Sequence, residues 1–274
     1  MYTVSKRAKE YKQPRGGFLP PSSFKIISLE DTVTLKNQEN ISPTIVGMTV
    51  DYMTRFLEGT TLEEAFKISL QGAELINKAN EAKLLLKNIT GLNKESIIAA
   101  CKIVGFDSIL RAGPITYKPI EEINPDDDTI FNIITMIKRS QFFLKNYGPI
   151  VAEGITFLGG YTPTVTTGDA DFMTEDTLWD FKVSKNSLKS FQTLQIFMYY
   201  LMGCRAIKLN IDYNFKNKIK KIGIYNPRKN KIYIKEISDI DIETTSEVEK
   251  NVLGYKEGIV DPHLKKLLQQ LKSR

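Results

Sequence analysis

The chain of 274 residues contains only two cysteines, Cys101 and Cys204, and a single histidine, His263. Two cysteines give no disulfide framework, and no C-x-x-C pair is present to hold zinc or an iron–sulfur cluster. One histidine excludes multi-histidine metal sites, and it excludes a histidine triad unless His263 is the only base. Metals bound through oxygen, such as Mg²⁺, remain compatible with this composition.

Long apolar runs are also missing. No stretch approaches the roughly 18–20 apolar residues that a membrane span needs, and the first residues lack the apolar segment of a secretory signal. With 42% hydrophobic and 26% charged residues, the chain has enough apolar side chains to build a core. We therefore expect a folded protein of the reducing cytoplasm with no membrane partner.

The net charge of +6 is concentrated in two regions. Residues 1–24 combine five basic side chains with Pro, Gly and Ser, which indicates a flexible basic arm suited to a polyanionic partner. Ten basic residues lie between Arg205 and Lys235, many of them in a hairpin, and a phosphate backbone would need such a surface. The candidate nucleic-acid contacts are Lys185, Lys220, Arg228 and Lys229.

Helical patterns fill the first half of the chain. Ser42-Pro43 opens one helix, Thr61-x-x-Glu64 is a capping box before another, and residues 94–104 predict a third. A fourth is predicted over 127–146, where Asp126, Asp127 and Asp128 suit a helix N-terminus.

The second half changes to a strand period. Residues 149–158, 164–173 and 177–184 predict a three-strand meander, followed by a helix capped by Asn186 or Ser187 and ended near Gly203. A further strand over 206–213, a hairpin around Pro227 and a C-terminal helix over 261–274 complete an α/β fold. The predicted domains are an arm (1–24), a helical lobe contributing to the fold (25–126), a core (127–238) and a C-terminal helical extension (239–274).

One pair of predicted strands brings chemically useful side chains together. Asp180 and Lys182 are two residues apart in a strand and therefore face the same side. Asp171 lies nine residues earlier, about the distance at which a hairpin places two strands side by side. Two converging carboxylates can share a divalent cation, and a lysine can help orient the metal-bound water, which is a device for hydrolysing phosphodiesters. The alternative is a surface hairpin with solvated charges.

The pattern Gly168-x-x-Asp171, Asp180-x-Lys182 and Gln195-x-x-x-Tyr199 resembles the PD-(D/E)XK nuclease superfamily, particularly its RecB-like branch. The resemblance implies a restriction-endonuclease-like core, a mixed central sheet flanked by helices, with a helical N-terminal lobe. It implies that Asp171, Asp180 and the main-chain carbonyl of Phe181 bind Mg²⁺ or Mn²⁺ and that Lys182 serves the attacking water. Gln195 and Tyr199 would line the site toward the nucleic acid, with Gln192 as a competing choice for Gln195.

A further acidic residue is left open between two positions. RecB-like nucleases carry a Gly-x-x-x-His pattern on an earlier helix, and the nearest match here is Gly47-x-x-x-Asp51, with Asp in place of His. Glu153, on the strand that leads into the meander, is the alternative. The expected function is a metal-dependent nuclease acting on DNA, with RNA as a second substrate class and the helical lobe available to a protein partner. The rival hypothesis is a catalytically inactive module of the same fold that binds nucleic acid or a protein.

Overall fold

A six-stranded mixed sheet organises the computed structural model, which describes residues 2–211 and 213–256. The strands are β1 (Lys25–Ser28), β2 (Ala152–Ile155), β3 (Phe157–Leu158), β4 (Ala170–Met173), β5 (Thr177–Phe181), β6 (Lys208–Leu209), β7 (Lys221–Asn226) and β8 (Lys231–Glu236). The α-helices are α1 (Val4–Glu10), α2 (Pro43–Leu57), α3 (Leu62–Ala65), α4 (Lys67–Leu75), α5 (Ala79–Lys87), α6 (Lys94–Val104), α7 (Asp107–Ala112), α8 (Asp127–Tyr147), α9 (Ser190–Arg205), α10 (Phe215–Lys218) and α11 (Ile242–Glu247). Short 3₁₀ turns lie at Pro21–Ser23, Pro114–Thr116, Ile120–Glu122 and Ile237–Asp239, and a π-helical turn covers Val248–Leu253.

The strand order is β1-β8-β7-β5-β4-β2. The predicted meander is confirmed, since β2 pairs with β4 and β4 with β5, both antiparallel. β5 and β7 pair in parallel, which requires a crossover connection, and α9 supplies it. The predicted hairpin is also confirmed as the antiparallel pair β7 and β8. The chain is therefore an α/β protein whose mixed sheet is flanked by helices.

The two faces of the sheet carry different cores because successive side chains alternate. On one face, Phe143 of α8 stacks on Tyr225 with ring centroids 4.1 Å apart and meets Trp179 edge-on at 4.9 Å. On the other face, Leu178 and Ile224 belong to the cluster that contains the buried side chains of α9. Asp180 has the same parity as Leu178, so the alternation places it on the α9 side.

The helices of the first half form a separate apolar cluster beside the sheet. The predicted N-terminal signals are confirmed: the Ser42 hydroxyl accepts a hydrogen bond from the N–H of Thr44, and the Asp126 carboxylate accepts one from the N–H of Thr129 at 2.8 Å. Phe181 and Val183, at the end of β5, pack against this cluster. The lobe thus contacts the sheet at the strand end where Asp180 and Lys182 lie.

Several expectations are corrected by the structure. Residues 1–24 are not a flexible arm, because α1 buries Val4 and Ala8 completely. The predicted helical lobe, 25–126, begins with β1, which pairs with β8 as an edge strand of the sheet. The residue before α9 is Lys189 rather than Asn186 or Ser187, and the helix continues to Arg205. Within residues 206–211 and 213, the predicted strand is reduced to β6, which pairs with β3 in a small second sheet. The predicted C-terminal helix, 261–274, lies outside the described residues.

Within the described residues, none of the helices combines the length and the apolar character that crossing a membrane requires.

Candidate active site

Asp171 and Asp180 lie on neighbouring strands at the same level of the sheet. The register pairs Phe172 with Trp179, and its continuation by one residue sets Asp171 opposite Asp180. The Phe181 N–H donates to the Asp171 carboxylate at 2.6 Å. The Lys182 ammonium donates to Asp180 Oδ1 at 2.8 Å, so the prediction that these two side chains share a face is confirmed.

The Asp180 carboxylate is the most unusual group of the site. Its residue is 1% exposed, and Oδ2 is buried without a hydrogen-bond partner among the described residues. Burial raises the pKa of Asp180 to about 7, although Lys182 opposes the rise, and the charge of Asp171 adds to it. A buried, unpartnered carboxylate oxygen is unfavourable unless it acquires a proton or a cation.

Asp51 and Glu153, which the sequence left as alternatives, are brought together by one arginine. Arg55 Nε lies 3.3 Å from Asp51 Oδ1, and Arg55 Nη1 lies 3.5 Å from Glu153 Oε2. The Thr60 hydroxyl also donates to Glu153, at 3.0 Å. Loss of hydration raises the pKa of Asp51 to about 6, against the effect of Arg55, and the charges of Asp171 and Glu153 raise it further. Both acids therefore belong to the same carboxylate cluster.

Sequence reasoning missed three charged residues of this cluster: Arg55, Arg111 and Asp169. Arg55 follows Asp51 by four residues on α2, a spacing that could have indicated a pair. Burial raises the pKa of Asp169, the charge of Asp171 adds to it, and Arg111 lowers it. Arg111 is anchored by the fully buried Asp107 through a 3.4 Å contact.

Asp107, at the start of α7, is hydrogen-bonded to side chains of two other helices of the lobe, α2 and α4. It accepts hydrogen bonds from the Tyr52 hydroxyl at 2.6 Å and from the Ser69 hydroxyl. Burial raises the pKa of Asp107, against these hydrogen bonds. The lobe therefore carries a buried polar network that ends on Arg111, next to the carboxylate cluster.

Gln195 and Tyr199 share one face of α9, as predicted. Gln195 Nε2 donates to Tyr199 Oη at 3.3 Å and to Ser5 Oγ at 3.0 Å. Both residues are buried, at 7% and 4% exposure, so the expectation that Tyr199 contacts the nucleic acid is corrected: the pair supports the site from within the fold. Burial raises the pKa of Tyr199, and the charges of Asp180 and Asp171 add to the rise, which places the phenol within their field. Gln192, the competing choice, instead accepts a hydrogen bond from the Lys189 N–H.

The four candidate nucleic-acid contacts separate in the structure. Arg228 is corrected, because its side chain is only 7% exposed and is bound bidentately to the carboxylate of Glu39. Lys220 is exposed, but it precedes β7 at the end where Lys221 pairs with Thr177. The five residue steps from Lys220 to Tyr225, the partner of Phe181, span roughly 16 Å of extended chain. Lys220 is therefore far from the carboxylates.

Lys185 and Lys229 lie at the same end of the sheet as the candidate site. Lys229 is in the β7–β8 turn, three residues after Asn226. The side-chain amide of Asn226 donates to the Ser184 carbonyl at 2.9 Å. Lys185 is 55% exposed, with its ammonium 3.1 Å from the Asn37 carbonyl. These two lysines remain compatible with a phosphate backbone passing the site.

The donor set restricts what the site can bind. In residues 2–211 and 213–256, no group of three or more Asp, Glu, His or Cys side chains is arranged to hold a metal ion. Arg55 compensates Asp51 and Glu153, so Asp171 and Asp180 are the two carboxylates best placed to share a cation. Two carboxylates suffice for Mg²⁺, which keeps several waters. A cleft of about 490 Å³, lined by Glu153, Thr60 and Pro149 among others, opens next to the cluster.

Comparison of the chain with protein-family models, with curated proteins and with solved structures gave no match. What the site can do is therefore inferred from its residues and their geometry.

Proposed function

We propose that this protein is a Mg²⁺- or Mn²⁺-dependent nuclease that hydrolyses phosphodiester bonds in DNA, with a restriction-endonuclease-like core. The observation that carries the proposal is the convergence of Asp171, Asp180 and Lys182 at one end of β5. One oxygen of Asp180 is buried there without a hydrogen-bond donor among the described residues. Two carboxylates, an unsatisfied oxygen and a lysine are the groups that metal-assisted hydrolysis of a phosphate ester uses.

The residues at this point fit a hard divalent cation. The carboxylates of Asp171 and Asp180 and the main-chain carbonyl of Phe181 would hold it, with water and substrate oxygens completing the coordination. Such an ion lowers the pKa of a bound water and neutralises charge on the phosphate. Asp51 and Glu153 are held by Arg55 and contribute to the surrounding field.

Lys182 is the residue that acts on the attacking water. Its ammonium lies 2.8 Å from Asp180 and is 25% exposed, so it can reach both the carboxylate and an incoming substrate. Beside the water, the ammonium orients an oxygen lone pair toward phosphorus and stabilises the negative charge that develops on the phosphate. Burial lowers the pKa of Lys182, but the neighbouring carboxylates of Asp180 and Asp171 outweigh this effect and raise the pKa above its ordinary value, so the ammonium stays charged.

DNA would approach the strand end that carries Lys185 and Lys229. The chain has a net charge of +6, so nonspecific attraction to a polyanion is expected over the whole surface. RNA presents the same phosphodiester, and the assay below separates the two substrates.

A specific observation supports a second candidate, a catalytically inactive module that binds nucleic acid. Lys182 compensates Asp180, and Arg55 compensates Asp51 and Glu153, so much of the cluster is neutralised by the protein's own cations. Such a module would bind DNA with strong salt dependence and would not cleave it in Mg²⁺ or Mn²⁺.

The test is cleavage of linear, circular and single-stranded DNA and of RNA by the purified protein, with Mg²⁺, with Mn²⁺ and with chelator. We expect cleavage of DNA that requires the metal. Asp180→Asn and Lys182→Ala should each lower kcat by about 100-fold or more, a magnitude typical of lost catalytic groups.

The chain offers a matched control pair. Asp176 and Lys221 form a 2.7 Å ion pair at the opposite end of β5 and β7. Asp176→Asn and Lys221→Ala should therefore leave kcat within about two-fold, since surface ion pairs contribute little. Absence of cleavage with every substrate would favour the binding module. Undiminished cleavage by the Asp180→Asn, Lys182→Ala double variant would reject the assignment of the site.

A further inference from the structure

The N-terminal helix α1 is fixed next to the candidate active site. Val4 and Ala8 are fully buried against the cluster that contains α9. The Val4 N–H donates to the Thr167 carbonyl at 3.0 Å, in the loop that leads to Asp171. Arg7 donates to the main-chain carbonyls of residues 251 and 252 at 2.8 and 2.9 Å. The helix is therefore anchored on both sides.

Gly168 allows α1 to come this close. A Cβ at this position would lie 2.7 Å from Val4 Cγ2 and 3.3 Å from Tyr199 Cε1. Any side chain would push α1 or the tyrosine ring away. The glycine that precedes Asp171 by three residues is thus the contact point between α1 and the buried face of α9.

The hydrogen bonds of Gln195 connect α1 to the site. Its Nε2 donates to Ser5 Oγ on α1 and to Tyr199 Oη on α9, so both N–H groups of the amide are used. The carboxamide oxygen is then the only polar atom of this side chain left to act, and it can only accept. Gln195 is therefore oriented by two hydroxyl groups from different helices.

We propose that α1 completes the active site and that Ser5 is a positioning residue, fixing the Gln195 carboxamide so that its oxygen accepts a hydrogen bond from the attacking water. This inference rests on the proposed nuclease function and deepens it by assigning a role to the N-terminal helix. Without the Ser5 hydroxyl, the amide keeps one of its two restraints and can rotate, so the water is oriented in a smaller fraction of encounters.

Three variants test this role: Ser5→Ala, Ser5→Thr and Ser5→Ala combined with Gln195→Ala. Ser5→Ala should lower kcat on DNA by about 3- to 10-fold with little change in KM, the size of one ordinary hydrogen bond. Ser5→Thr keeps the hydroxyl and should restore kcat to within about two-fold. Adding Ser5→Ala to Gln195→Ala should have no further effect, because the two residues act as one unit.

Ser23→Ala is the matched control. Its hydroxyl is exposed and donates to the Pro20 carbonyl at 2.8 Å, so the substitution also removes one hydrogen bond. It should leave kcat unchanged. A readout that does not depend on cleavage is the NMR signal of the Gln195 side-chain amide, assigned by its loss in Gln195→Ala. This signal should shift in Ser5→Ala and stay near its original position in Ser5→Thr.

The outcomes separate the two proposals. A wild-type protein that cleaves DNA while Ser5→Ala keeps full kcat would overturn the role of Ser5 alone, as would an unshifted amide signal. Additive losses in the double variant would mean that Ser5 acts only on stability. A wild-type protein without cleavage would overturn the nuclease function itself.

Discussion

The buried ion pair between Glu39 and Arg228 leads to a strong stability prediction. Two guanidinium N–H groups donate to the two oxygens of the Glu39 carboxylate at 2.6 and 3.0 Å. The side chains are only 3% and 7% exposed. Arg228→Ala would leave the carboxylate buried, with the Asn132 amide 3.0 Å away and the Lys185 ammonium 3.8 Å away as its remaining partners.

The magnitude follows from this burial. Removing one partner of a buried pair costs about 3–5 kcal/mol, because the other charge stays desolvated without compensation. For 274 residues, an unfolding entropy of about 2.1 cal/mol/K per residue converts this loss into a fall in melting temperature of roughly 5–9 °C. Replacing both partners, with Glu39→Leu and Arg228→Met, should recover most of the loss, since apolar side chains of similar size need no charge partner.

Urea unfolding and thermal melting measure the effect, and Lys229→Ala, on the same turn, is the control, with an expected change below about 0.5 kcal/mol. The salt dependence of DNA binding distinguishes Lys229, which we expect to contact phosphate, from Arg228, which we expect to act only on stability. Lys229→Ala should reduce the slope of log K against log salt by about 0.9, while the Glu39→Leu, Arg228→Met variant should leave it unchanged. A stability loss below about 1 kcal/mol for Arg228→Ala, or a lower salt slope in the double variant, would refute this reasoning.

The remaining predictions concern Asp180 and two glycines, Gly223 and Gly47. Burial raises the pKa of Asp180 to about 7, so a proton competes with the cation at acidic pH, and metal-supported kcat/KM should increase from about pH 5.5 to 8; a flat profile would contradict it. Because this pKa lies above the ordinary value of 3.8, the metal-free protein loses stability as pH rises toward 7, and urea unfolding at pH 8 should find Asp180→Asn more stable than wild type. A Cβ at Gly223 would lie 2.3 Å from the Trp179 ring, so Gly223→Ala should cost about 1–3 kcal/mol in urea unfolding. Gly47 lies inside α2, and a Cβ there would meet nothing closer than 3.7 Å, so Gly47→Ala should be neutral or stabilising. Equal changes in the free energy of unfolding at both glycines would be inconsistent with this packing.

Local sequence patterns were sufficient to predict which side chains are neighbours within β5 and within α9. The two-residue period of β5 predicted that Asp180 and Lys182 share a face, and the 2.8 Å contact agrees. The four-residue spacing on α9 predicted the meeting of Gln195 and Tyr199 in the same way. Both relations lie within one element, where backbone geometry alone decides which side chains are neighbours.

Relations between distant segments were not predictable from the sequence. Arg228 belongs to a basic hairpin, and nothing local indicates that its partner lies 189 positions away. Arg55 pairs with Asp51 on its own helix and with Glu153, which lies 98 positions away, and this is why the choice between the two acids stayed open. The basic composition of residues 1–24 suggested a solvated arm, but Val4 and Ala8 find an apolar surface that only the folded α9 and Gly168 create.

Among the described residues, the candidate site has more carboxylates than cations to balance them. Asp51, Glu153, Asp169, Asp171 and Asp180 influence one another, and the cations that act on them are Arg55, Arg111 and Lys182. Arg111 is shared with Asp107, so the carboxylates are in excess. Binding of protons or of a divalent cation would reduce the excess negative charge. The raised pKa values of Asp51 and Asp180 mean that these two carboxylates take up protons more readily than usual. A cation bound as proposed at Asp171 and Asp180 would displace the proton that the raised pKa lets Asp180 hold, so we expect metal binding to release protons.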